Sequence, residues 1–481
     1  MAFTIQSIDL LVREMPPDRM SFAIGKVPAK KRRPRAVFLV RLVLSDPAGS
    51  GQVIGWSGDR PSFGWLDKRP ERSPEKKLGA LIELIKAARE IYLEQGKSFV
   101  GPFQLWQRCH SLVMKHGEET GHESLSSSYA SALFERAVID GYCRAEGLSF
   151  FEMLQQEKSG IDPGAIHPEL KNFPFARILP TSPRIRFSIR HTVGLNDPIT
   201  DQDLTERVND GEPETLVEYV KRDGLRFFKV KISGDLDADL ARLEKIWTKA
   251  LVRANQPVIT LDGNEAYTDI GEFSDFVKRF EQELVGLFQH TIFIEQPLTR
   301  ALTHDAATAP VVAEISGYKP LVIDEADGTL DSFKNAVAIG YAGTSHKNCK
   351  GVFKSLLNRA LCFHYGDTMD RDVFLTGEDL SNMSIVPLHQ DFAVLGALDI
   401  KHCERNGHHY GFGLSHLTAK EKEAVARHHP DLYIERNGEW FLNIREGAVL
   451  ARSIQGKGFG GAALPDRDSL TPLDQWKSWF G

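Results

Sequence analysis

Three acidic residues in the middle of the chain stand in equivalent places. Asp262 closes the apolar run VITLD, Glu295 closes TIFIE and Asp324 closes LVID, spaced 33 and 29 residues apart. Each interval is close to one strand plus one helix, so neighbouring strands of a parallel sheet would bring the three carboxylates together at one end. Like charges gathered in this way are costly unless a cation lies between them. An all-oxygen set with room for water and substrate suits magnesium better than zinc. A loop-capping role explains any single acid equally well, but not its repetition in three consecutive units. By strand alternation Glu325 points away from Asp324 and belongs in a supporting or structural role. Asn264 shares a face with Asp262 and could orient it.

The run FFKVKI, residues 227–232, is an apolar strand carrying Lys229 and Lys231 on one face, with Phe227 behind them. Lysine is seldom buried without a partner. Further along, SHKNCKG supplies Lys347 and Lys350. A lysine beside a bound cation has its charged form disfavoured, so its pKa falls toward that of a useful base. Bases on two sides of a metal-bound carboxylate could remove and return a proton on the adjacent carbon, with magnesium holding the enediolate that forms. The paired lysines are therefore expected to face a metal-bound anion.

The elements that must position these groups can be read from periodicity. The segments FTIQSIDLLV, AVFLVRLVLS and QVIGWSG suggest a small antiparallel meander. From about 76 to 158 the pattern is helical, notably in EKKLGALIELIKAAREIYLEQG and in SSYASALFERAVIDGYCRAEG, where serines could cap the start and Gly147 the end. From about 184, strands alternate with amphipathic stretches such as DADLARLEKIWTKALVRA, which implies a closed β/α barrel of seven or eight units. The eighth strand is assigned to FAVLGALDI, and DLYIERNGEWFLNI predicts a hairpin turning at Asn-Gly. The expected layout is an N-terminal α+β capping domain over 1–160, a modified TIM-like barrel over 184–420, and a C-terminal segment over 421–481 that packs on both.

Composition narrows the function classes. A 481-residue chain with 42% apolar residues, 26% charged residues and a net charge of -6 is that of a globular protein with no general attraction for nucleic acid or anionic membrane. No apolar run approaches a membrane span, and the start lacks a signal-peptide pattern. Cys109, Cys143, Cys349, Cys362 and Cys403 form no C-x-x-C pair, so reduced thiols and a cytoplasmic location are expected.

Taken together, KVK, LDGNE, IEQPL and IDE on successive strands resemble the enolase superfamily, nearest the branch of muconate lactonising enzymes and dipeptide epimerases. The resemblance spans most of the chain and implies magnesium held by Asp262, Glu295 and Asp324. It also implies Lys231 as one base, Lys347 as the opposing base, and Lys229 as an electrostatic neighbour contacting the substrate carboxylate. Departures occur at the sixth strand, where the usual glycine pair is incomplete and Val352 replaces one glycine. An alignment anchored on the remaining glycine places Ser345 at the base position, and Lys350 is a third candidate. His346 is expected to be outward-facing or hydrogen-bonded, because the histidine base of the mandelate racemase branch lies on the seventh strand.

Specificity is expected in the cap and at strand ends. A mobile covering loop is placed at about 18–35, with Lys30, Lys31, Arg32, Arg33 and Arg35 either attracting an acidic substrate or simply solvated. His191, Glu378 and Asp379 end the first and seventh strands and could touch substrate. The glycine-rich GKGFGG (456–461) suggests the tail that closes such barrels, and the histidine-rich stretch 402–416 a surface loop. The partner expected is a small-molecule carboxylate, and the chain could form a homo-oligomer. Racemisation or epimerisation of an amino acid, dipeptide or related acid leads, because lysines come from both sides. Syn elimination from an acid sugar, running on Lys231 alone, stays open, as does cycloisomerisation. So do a barrel that binds metal and carboxylate without turnover, and an aldolase-like Schiff base.

Overall fold

The computed structural model describes residues 2–20, 35–45, 51–369 and 371–480. Residues 21–34, which include most of the expected covering loop with Lys30, Lys31, Arg32 and Arg33, lie outside them; Arg35 is described and pairs with Asp18 at 2.7 Å.

Strands β1 (Thr4–Met15), β2 (Arg35–Ser45) and β3 (Gln52–Asp59) form the expected meander. β2 is buried along nearly its whole length because both of its faces are covered. One face meets the helix Ser124–Glu146; on the other, Val37 and Leu39 pack with Leu11 of β1 and with Met383, Val386 and Leu470 from the barrel and tail. That explains an apolar run without alternation. Helix Ser124–Glu146 lies so close on β3 that a Cβ on Gly55 would sit 2.1 Å from the Ala137 carbonyl. The helix ends at Gly147, left-handed with φ 69°, as a glycine stop should. Its start carries no side-chain cap, so the serines are not used in that way.

Eight parallel strands close the barrel: β4 (Arg186–Val193), β5 (Phe227–Lys231), β6 (Val258–Asp262), β7 (Thr291–Glu295), β8 (Leu321–Ile323), β9 (Gly343–His346), β10 (Phe374–Gly377) and β11 (His402–Arg405). Closure is made by β11 against β4, with Arg405 opposite His191. Helices separate the strands, and the early ones are amphipathic with side-chain caps; Thr215 and Glu218 cap the helix Leu216–Asp223 reciprocally, and Asp235 accepts from Ala238 N–H at the next.

The eighth strand departs from expectation. FAVLGALDI lies largely in the helix Val386–Ala397, all of whose residues are buried, and a run apolar all round does not distinguish a buried helix from a strand. The strand is HCER, and the histidine-rich stretch beginning there is mostly buried rather than a surface loop. The hairpin Tyr433–Arg436/Glu439–Leu442 turns at Asn437 and Gly438, both with positive φ. The tail bridges cap and barrel: Ala448–Leu450 pairs with β4 and Thr471–Pro472 with β1. All five cysteines are buried and unpaired, and among the described residues no helix is long and apolar enough to cross a membrane.

Candidate active site

Alternation along the barrel strands sorts the charged residues. The interior receives Arg190 and Thr192 from β4, Lys229 and Lys231 from β5, Asp262 from β6 and Glu295 from β7. Asp324 follows β8, Ser345 lies on β9 and Lys347 just after it, Glu378 follows β10, and Glu404 lies on β11. Nearly all are fully buried. Register sets Lys231 beside Asp262 and Asp262 beside Glu295.

Lys229 is the hub. Its Nζ lies 2.9 Å from Asp262, 2.8 Å from Glu295, 2.7 Å from Glu378 and 3.0 Å from Glu404. Burial alone would lower its pKa, but the four carboxylates hold it well above the usual lysine value. One ammonium cannot compensate four acids. Arg190 therefore donates to Glu378, Thr376 Oγ1 donates to the same Glu378 oxygen at 2.6 Å, and Thr192 Oγ1 donates to Glu404 at 2.6 Å. The remaining excess falls on Glu295, whose carboxyl is pushed well above its ordinary value by burial and by Asp262 and Glu378.

Two lysines flank this centre. Lys231 Nζ donates to Asp262 Oδ2 at 2.5 Å, and Lys347 Nζ donates to Asp324 Oδ2 at 2.6 Å. Despite burial, Lys229 and Lys231 hold Asp262 below the usual carboxylate range; Lys347 and Lys350 hold Asp324 well below it. β5 and β9 lie four strands apart in an eight-stranded ring, so Lys231 and Lys347 approach from opposite walls. Lys347 also sits 4.4 Å from the ring centroid of Trp65, contributed by the cap. Ser345 Oγ donates to Asp324 Oδ1 at 2.5 Å, and Lys350 Nζ donates to Ser345 at 2.7 Å. All three sixth-strand candidates thus converge on Asp324.

The outer groups fall into three arrangements. The Asn264 N–H donates to Asp262 Oδ1 at 2.9 Å, while its Nδ2 and Lys68 Nζ both donate to Glu325 at 3.0 Å. Asn264 thereby fixes Asp262 and ties Glu325 to the cap. Asp379 accepts from Asn382 N–H at 2.7 Å and Asn406 N–H at 3.1 Å, joining the turns after β10 and β11. Burial, against the pull of Arg405, pushes its carboxyl up to about 7. His191 faces outward from β4 onto Tyr219 and His409, away from the acids. His346 also faces outward, its Nδ1 2.8 Å from Ser355 Oγ. Arg190, Glu404, Trp65 and Lys68 enter the centre or its rim with no local pattern in the sequence to announce them.

The donor set of Asp262, Glu295 and Asp324 fits a hard divalent cation. It is all oxygen, Asp262 and Asp324 raise the cost of charging Glu295, and Glu295 Oε2 is buried without a hydrogen-bond partner. In this structure lysines hold Asp262 Oδ2, Glu295 Oε1 and Asp324 Oδ2.

No protein-family model matches the chain, and no curated protein matches it. Solved structures do. The L-Ala-D/L-Glu epimerase from Bacillus subtilis, in a substrate-liganded complex, is similar over 96% of this chain and 100% of its own, with a TM-score of 0.58 at 17% identity. An enolase from Pseudomonas fluorescens with bound magnesium, potassium and tartrate is similar over 98% and 91%, at 0.58 and 12%. A muconate cycloisomerase variant is similar over 98% of both chains, at 0.55 and 14%. At these identities the likeness establishes the capped-barrel fold.

Proposed function

We propose that the chain is an enzyme that abstracts a proton from the carbon beside a carboxylate, and that racemisation or epimerisation of an amino acid, dipeptide or related acid is its reaction. The observation that carries this reading is the placement of Lys231 and Lys347 on opposite walls, each bonded to a different member of one acid cluster. The sequence motifs resembling the enolase superfamily, the shared fold, and the presence of an epimerase and a cycloisomerase among the similar structures support it.

Asp262, Glu295 and Asp324 would hold magnesium, which one similar structure carries. Bound there, the ion would supply positive charge to a substrate carboxylate and compete with Lys231 and Lys347 for their acid partners. Asp324 holds Lys347 above the usual lysine value against burial, so loss of that partner would bring it down toward the range of a base. Lys231 then takes the proton from one face of the carbon, and Lys347 returns one to the other. Lys229 stays protonated among its four acids and holds them together at the floor of the site. Trp65 covers Lys347 and limits the access of water to it.

The test is exchange in heavy water with magnesium and a panel of carboxylates. Epimerisation places deuterium on the recovered acid, whereas elimination removes the mass of water. Lys231→Ala and Lys347→Ala should each lower turnover by about 10²–10⁴-fold, the usual contribution of a positioned general acid or base. Retained turnover in Lys347→Ala would replace the two-base reaction by elimination on Lys231 alone. A folded wild type that binds magnesium and carboxylate yet incorporates no deuterium and loses no water would be a binding barrel, not an enzyme.

A further inference from the structure

Outside the acid–lysine centre, on the far side of β4, three histidines meet. His191 lies at the end of β4; His408 and His409 belong to the short helix Gly407–Tyr410, which follows β11 directly. Because the barrel closes with Arg405 opposite His191, the chain needs only a few residues to fold His408 and His409 back over His191. Ring centroids are 4.3 Å apart for His191 and His409, 5.1 Å for His408 and His409, and 5.9 Å for His191 and His408. One ring nitrogen from each lies within 4.8 Å of the others.

Nothing among the hydrogen bonds of the described residues accounts for this grouping. His191 Nδ1 and both ring nitrogens of His408 and His409 are buried without a hydrogen-bond partner. A neutral imidazole carries one N–H and one lone pair, and burying either unmet is unfavourable. Burial, then the neighbouring charged groups, keeps all three rings neutral, His191 down to about 3. Neutral imidazole is the form that ligates metal.

The surrounding charges have partners of their own. Arg19 pairs with Asp210 at 2.5 Å, Arg222 with Glu212 at 2.5 Å and Asp223 at 2.7 Å, and Arg436 with Glu212 at 2.9 Å. Arg405 is bound to Asp391. Among the described residues no carboxylate joins the three rings as a donor, so a hard cation such as magnesium has nothing to bind there, whereas imidazole suits a borderline transition metal.

We infer that His191, His408 and His409 form a zinc-class metal site, separate from the acid–lysine centre, with a fourth position open to water or an added donor. Zinc–nitrogen bonds of about 2.0–2.1 Å put tetrahedral donors about 3.4 Å apart, so the trio must close by rotation about its side-chain bonds. His408, half-buried at the edge, is placed to do so. The turn that carries it also accepts Arg19 N–H at the Tyr410 carbonyl, 2.8 Å away. Metal bound here would staple three segments at the barrel seam: the end of β4, the turn after β11, and the stretch leading to residue 20.

The experiment uses the full chain after chelator treatment, titrated with zinc by calorimetry and with cobalt as an optical probe. One equivalent should bind, with the intense visible bands of four-coordinate cobalt rather than the weak bands of a six-coordinate oxygen site. Binding should survive Asp262→Asn and Glu295→Gln, and weaken in His408→Ala and His409→Gln by more than the ~10–100-fold that loss of an outer partner costs. His408→Ala removes the least buried of the three rings, and circular dichroism checks that its fold is kept. Binding unchanged in both histidine variants, or no zinc uptake by folded wild type, would overturn the site.

Discussion

On the inward face of β4, Arg190 and Thr192 hold Glu378 and Glu404, two of the four carboxylates around Lys229. On the outward face of the same strand, His191 packs on Tyr219 and two further histidines. Both regions are buried and both are made of titratable side chains, yet they meet the cost of burial differently. Inside the barrel, opposite charges within hydrogen-bond distance hold Lys229 and Lys347 above the usual lysine value and Asp262 and Asp324 below the usual carboxylate range, and the uncompensated charge falls on Glu295. The imidazoles have no such partner and stay neutral. A buried charge cluster is therefore fixed by its own pairing, while a buried neutral cluster keeps unused bonding capacity. The first region yields its acid oxygens only to a competing cation, whereas the second keeps ring nitrogens with no partner to displace.

The largest effect expected from that contrast comes from removing the central cation. Lys229→Met leaves Asp262, Glu295, Glu378 and Glu404 together without their shared partner. Breaking a buried pair from one side costs about 3–5 kcal/mol, and the figure here should lie at or above the top of that range because four acids are affected. Urea unfolding of wild type and variant measures it. A loss of only about 1 kcal/mol, the size of an ordinary substitution, would show that the acids are compensated elsewhere.

How much of this was legible follows from what a sequence can encode. Asp262, Glu295 and Asp324 stand out because an apolar strand that ends in an acid, repeated at barrel spacing, is the pattern that a converging carboxylate cluster requires. Lys229 and Lys231 stand out because alternation places both on one face. Glu404 did not, since HCER is a four-residue strand without an apolar run, and the fully buried helix Val386–Ala397 upstream offered a more strand-like string. Nor can alternation alone say which of Arg190 and His191 faces inward: both are buried, so the burial pattern of β4 is continuous there. Trp65 and Lys68 are brought to the mouth only by docking of the cap, a long-range event with no local pattern.

A smaller effect tests the boundary between the two regions. Asp379 lies there, facing Glu404 through shared burial and fixing Asn406, two residues before His408. Its folded pKa of about 7 stands above the ordinary value of about 3.9. Below about pH 4 both states hold the proton; between about 4 and 7 the unfolded chain has released it and the folded chain has not. Stability from this group is therefore lost as pH rises through that window. Glu135, raised to about 7 by burial in the cap, contributes with the same sign. Asp379→Asn should leave a shallower fall in the urea midpoint across that window than wild type shows. An unchanged slope would mean that Arg405 and the two backbone N–H groups keep Asp379 ionised.

The smallest effect is expected on the outward face, and it is the one that separates the two modes of burial most cleanly. His408→Leu replaces a ring whose two nitrogens have no hydrogen-bond partner by an apolar side chain. Truncating one member of a charge pair leaves the other uncompensated, but here no partner is deserted. Replacing an unsatisfied buried polar group by an apolar one is close to neutral or favourable, so in chelator-treated buffer the change should stay within about 1 kcal/mol of wild type. Zinc should then reverse the order: an ion that binds only the folded chain stabilises wild type by about 2.7 kcal/mol at roughly a hundred times its dissociation constant, and the variant by little. A large loss in metal-free buffer would mean that His408 serves packing, and the contrast between the two faces of β4 would fail at its outer side.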